Sequence, residues 1–143
     1  MCYMVYISTD SPNDLTAYNS RLVNLSSPVD TTKEERAISV LSFPYLWHVG
    51  SRSGCSCGFR HVHPDLGFSE PEDWLPEEDE DVEATKQVYK IFSDILETGS
   101  RLDCLSVWSG AESNDIETIT ISFNDINKNQ FRFFTNHLFI IQK

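Results

Sequence analysis

Hydrophobic positions recur along this chain in two rhythms. In "DVEATKQVYKIFSDILETGS", Ala84, Val88, Ile91, Phe92, Ile95 and Leu96 fall three or four apart, the spacing of one buried stripe on an amphipathic helix. This predicts a helix over about residues 82–98, with Asp79 or Asp81 able to cap its start and Gly99 suited to the position past its end. The second rhythm has period two. "RLVNL" and "ETITISF" alternate apolar with polar positions, the latter turning Ile119, Ile121 and Phe123 inward. "YMVYIS", "YLWHVG" and "RLDCLSVW" are β-branched and aromatic runs, the last reading as a mostly buried strand that holds Trp108 in the core.

The breaks between these runs carry turn chemistry. In "TDSPNDL", Asp10 or Ser11 can cap a short helix whose first position is Pro12. "SSPVDTTKEE" is a polar loop of turn formers. Pro44 ends the strand or short helix that Ile38, Val40 and Leu41 suit equally. The final "FRFFTNHLFIIQK" predicts a β-hairpin turning at Thr135, Asn136 and His137, because asparagine tolerates the positive φ such turns need. The expectation is one α+β domain spanning residues 1–143: a largely antiparallel or mixed sheet, the long helix packed on it, and the hairpin last.

Charge narrows the choice of partner. The chain has 22 acidic and 11 basic residues, a formal net charge of −11, which repels nucleic-acid phosphates and anionic lipid surfaces. No nucleic-acid partner and no membrane partner are expected, whereas a basic protein suits the charge. No run reaches the roughly 18 apolar residues of a membrane helix, and the start lacks the basic flank of a signal peptide; a cytoplasmic location follows as the expectation. Nine of the acidic residues lie in "SEPEDWLPEEDEDVE". Those next to the helix stabilise its positive N-terminal end. Glu70, Glu72 and Asp73 are not explained that way, and with Trp74 as an apolar anchor they form a candidate partner-binding segment.

The densest chemistry lies in "SGCSCGFRHVHPD", where Cys55, Cys57, His61 and His63 are a candidate zinc-ligand set. Zinc takes about four sulfur or nitrogen donors around one point. The spacing is unusual for that purpose, and strand parity decides whether the four converge. A three-residue loop at Gly58, Phe59 and Arg60 puts all four on one face of a hairpin; a two-residue loop sends cysteines and histidines to opposite faces. The same residues suit two other readings: small cysteines packed at a turn, or a nucleophilic or redox thiol at Cys55 or Cys57 activated by a nearby histidine. No phosphate-binding glycine loop, G-x-S-x-G or H-E-x-x-H motif occurs in the sequence. No catalytic residue and no cofactor beyond zinc is assigned, and the reading leans away from an enzyme.

In "MCYMVYISTDSPNDLTAYNS", "VGSRSGCSCGFRH" and "FRFFTNHLFII" the chain resembles a family of small bacterial proteins with no assigned activity. That resemblance implies a bacterial, cytoplasmic, single-domain protein and brings no catalytic residues with it. The functional expectation is a small acidic binding or accessory protein, with a metal at the Cys/His cluster as an optional feature. The alternatives are a thiol-dependent enzyme or redox protein, and an acidic inhibitor or immunity-type protein docking a basic partner.

Overall fold

Each alternating run becomes a strand, and the helical stripe becomes the helix that covers the sheet. The computed structural model describes residues 2–27, 37–62, 64–71, 74 and 77–143. Its strands are β1 (Tyr3–Thr9), β2 (Val23–Ser26), β3 (Tyr45–Ser51), β4 (His61–Val62), β5 (Leu102–Trp108), β6 (Glu117–Ser122), β7 (Phe133–Phe134) and β8 (His137–Gln142), and the long helix is α1 (Asp79–Glu97). Six strands form one sheet in the order β2-β3-β1-β5-β8-β6. All its neighbours are antiparallel except β6 and β8, which run parallel. The architecture is therefore α+β with a mixed sheet.

The period-two pattern becomes two faces. Val5, Ile7, Val23, Leu25, Trp47, Val49, Cys104, Phe139 and Ile141 turn toward α1, whose Ala84, Val88, Ile91, Phe92, Ile95 and Leu96 are buried against them. These are the stripe residues read from the sequence. On the opposite face Tyr6, Leu105, Val107 and Leu138 pack under Ala37 and Ile38. Burying Phe92, Phe123, Phe131, Phe133 and Phe139 almost completely contributes roughly 1.5–3 kcal/mol apiece relative to exposure, and their rings meet mostly edge-on, the favoured geometry.

Three local expectations need correction. The short N-terminal helix is a 3-10 turn over Leu15–Tyr18 capped by Asp14, whose carboxylate accepts from the Thr16 N–H at 2.9 Å; neither Asp10 nor Ser11 caps it. Asp10 instead accepts from the Arg101 N–H, a long-range partner invisible to local pattern. Trp108 is 36% exposed rather than core. The C-terminal reversal forms as expected, with Asn136 at φ 57°, but its two arms join different ladders. β7 pairs in parallel with β4, while β8 pairs with β5 and β6. The polar loop of residues 26–35 lies mostly outside the described residues.

Candidate metal centre

The segment after β3 is neither a hairpin nor a continuous strand, so the parity argument does not apply. It is a knot of tight turns. Gly54, at φ +87°, allows the first turn, in which the Gly54 N–H donates to the Ser51 carbonyl and the Ser51 N–H to the Cys55 carbonyl. Gly58 is required by close approach: a Cβ there would lie 2.7 Å from the Ser51 hydroxyl, which accepts from the Gly58 N–H.

Ser56, between the two cysteines, fixes where this loop lands. The ladder between β1 and β3 stops with Tyr6 opposite His48, one step before Val5 would meet Val49. There the fully buried Ser56 hydroxyl inserts, accepting from the Val5 N–H at 2.8 Å and donating to the Val49 carbonyl at 2.6 Å. The Ser56 N–H also donates to the Tyr3 carbonyl. Both backbone groups freed by the split ladder thus keep partners, as buried groups must. As a result Cys55 and Cys57, on either side of Ser56, sit beside the start of β1.

That start carries Cys2. Its carbonyl accepts from the N–H and hydroxyl of Ser109, just past β5, and its N–H donates back to that hydroxyl. The sulfur atoms of Cys2, Cys55 and Cys57 all lie within 4.8 Å of one another. Sulfurs bound to one zinc at 2.3 Å stand about 3.8 Å apart in a tetrahedron, so small side-chain adjustments close the group on an ion. Backbone donors already face the sulfurs. The Tyr3 N–H donates to Cys57 Sγ at 3.3 Å, and the Cys57 N–H favours the charged form of Cys55, the kind of support that holds thiolate ligands around a metal.

These surroundings separate the two loop thiols. Burial opposes charge on Cys55, but the Ser53 hydroxyl, the Cys57 N–H and the neighbouring thiols of Cys2 and Cys57 outweigh it and bring Cys55 down to about 7. Burial and the adjacent Cys55 push Cys57 up to about 11. Cys104 lies apart, in the core on β5, where burial raises its thiol far above the usual range.

His61 is close by but outside the thiol group. Its ring stacks on Tyr3 at 4.0 Å, and its Nε2 donates to the Ser56 carbonyl at 2.6 Å. Burial drives its pKa down to about 4. His63 lies outside the described residues, as do Glu72 and Asp73. Of the remaining partner-segment residues, Glu70 is exposed and Trp74 is 65% exposed. The acidic residues nearer the helix are tied internally. Arg52 meets Glu78, Glu80 and Asp81, while Glu77 pairs with the buried Arg60 at 2.9 Å.

The sequence reading found two of the three thiols and missed Cys2, which is 53 positions from Cys55 and becomes its neighbour only through the sheet. The serine in C-S-C was the available signal, since a small hydroxyl residue between two cysteines can bridge split strands. Compared with protein-family models, curated proteins and solved structures, the chain gives no match in any of the three.

Proposed function

We propose that this is a small acidic binding or accessory protein that holds a soft cation, zinc foremost, on Cys2, Cys55 and Cys57. The observation that carries the reading is the convergence of three sulfurs, brought from two distant segments, within 4.8 Å. Thiolates select zinc or Cu(I) over hard cations. Three protein ligands leave a fourth position to an external donor, the arrangement of zinc sites that exchange ligands. His61 supports the loop from behind through the Ser56 carbonyl. The test is elemental analysis of protein made without a histidine tag and equilibrated with zinc. About one zinc per chain is expected, lost in Cys2→Ser, Cys55→Ser and Cys57→Ser and retained in Cys104→Ser; a value near zero in the parent protein overturns the reading.

The lowered Cys55 thiol favours a second reading, a nucleophilic or redox thiol. Iodoacetamide alkylation of metal-free protein should then be half-maximal near pH 7 at Cys55, well ahead of Cys57. Equal rates at both positions would remove it.

A further inference from the structure

The two edges of the six-stranded sheet are finished differently. At β2, the residues just before the strand seal its outer side. The Asn19 side chain accepts from the Leu25 N–H at 2.7 Å and donates to the Leu25 carbonyl at 3.2 Å. Ser20 repeats the arrangement one step along, its N–H donating to the Val23 carbonyl and its hydroxyl accepting from the Val23 N–H. No strand can add there without displacing both residues.

The opposite edge, β6, has no such cover among the described residues. Glu117 stands opposite His137 and donates its N–H to the Asn136 carbonyl at 3.0 Å. In a parallel ladder that phase turns the backbone groups of Glu117, Ile119 and Ile121 toward β8, and leaves the N–H and C=O groups of Thr118 and Thr120 and the N–H of Ser122 pointing away from the sheet, the Ser122 carbonyl lying at the start of the 3-10 turn Phe123–Asp125. Those three residues are exposed. The strand is six residues long and contains no proline or lysine, the usual means by which edges are blunted.

We propose that β6 accepts an extended basic peptide segment of a partner protein as a seventh strand. Charge selects the occupant. Asp115 and Glu117 stand exposed at one end of the strand and Asp125 at the other, where Lys143 follows Gln142 opposite Ser122. The net acid therefore lies at the Glu117 end. A second copy of the chain would bring another −11 of charge to this edge and is repelled, whereas lysine or arginine beside Asp115 and Glu117 is attracted. Main-chain hydrogen bonds supply attachment, and alternate apolar side chains of the segment lie beside Ile119 and Ile121. The metal reading is independent of this surface.

The test uses a fluorescein-labelled peptide that alternates valine with threonine and ends in two consecutive lysines, followed by anisotropy, with amide exchange of the unlabelled complex read residue by residue. Thr120→Pro removes an outward N–H while leaving the β6–β8 ladder its donors, since proline is tolerated on an edge. Peptide binding should slow exchange at Thr118, Thr120 and Ser122, weaken with added salt, and fall roughly tenfold in Thr120→Pro at an unchanged melting temperature. The exchange measurement on the parent protein stands even if the proline variant is unstable. Binding without protection at those three amides overturns the proposal, as does equal affinity in the variant. A parent-protein dimer abolished by Thr120→Pro overturns it as well, because the edge then belongs to a second copy.

Discussion

Acidification should destabilise the fold through His61, by an amount its surroundings set. Nε2 donates to the Ser56 carbonyl, so the neutral ring carries its proton there and leaves Nδ1 bare. Nδ1 is buried with no partner among the described residues, between the Tyr3 ring at 4.0 Å and the Phe133 ring at 5.6 Å. Protonating it would place an unpaired N–H and a charge in that slot, relieved only by the attraction of Asp81. The folded-state pKa of about 4 lies below the ordinary 6.5, so the unfolded chain binds a proton that the folded one refuses. Stability is therefore complete above pH 6.5 and falls as pH drops toward 4, at about 1.4 kcal/mol per pH unit, to a total loss of about 3 kcal/mol. That is a large share of the roughly 5–15 kcal/mol available to a domain.

Urea unfolding of the parent protein and His61→Phe across this range measures the effect. Phenylalanine keeps the stack on Tyr3 but leaves the Ser56 carbonyl unbonded, which costs about 1–2 kcal/mol near pH 7. Toward pH 4 the order should invert, with the variant the more stable. His48, whose pKa burial also lowers, contributes acid sensitivity of the same sign. Asp103 acts oppositely, because burial raises its carboxyl and the folded state gains as pH falls through that raised value. Both are present in parent and variant and cancel in the difference, as distant sites do. Two curves separated by a constant offset would refute the assignment to His61.

Glu77→Gln should cost about 3 kcal/mol in urea unfolding, because it strips the anion from a guanidinium with 1% side-chain exposure. A loss below about 1 kcal/mol would show that the carbonyls of Ser69, Asn129 and Phe131, which Arg60 also reaches, satisfy the cation alone. Asn19→Ala opens the sealed β2 edge; a loss of about 1–2 kcal/mol is expected, together with new self-association in sedimentation velocity, and an unchanged monomer would count against the sealing role.

Much of this architecture can be read locally. The stripe from Ala84 to Leu96 specifies α1, and alternation in "ETITISF" and "RLVNL" specifies β6 and β2, because a helix or strand needs one buried face and the spacing of apolar residues marks it. Asn136 marks its turn through its own backbone preference. The predicted bounds of α1 differ from the observed ones by a turn or less, since Asp79, Glu80 and Asp81 form its first turn instead of preceding it.

The candidate site was legible only in part, for a reason visible in its residues. Cys55 and Cys57 are neighbours in sequence and drew attention together. Their third partner, Cys2, and the tethering Ser109 are distant in sequence: the pairing of β1 with β3 and the Ser56 bridge bring the loop to Cys2, and the pairing of β1 with β5 sets Ser109 against it. The decision between hairpin and turn rested on Ser56, whose hydroxyl bridges two strands that local pattern does not place side by side.

By itself the sequence determined the long helix, the principal strands, most of the faces they bury and the acidic character of the chain, because each depends on residue type and short-range spacing. Only the tertiary structure decided which cysteines meet, which histidine is sealed from protons and which sheet edge stays open. Those depend on strand order, and strand order comes from contacts between segments tens of residues apart, whose closure no local spacing encodes.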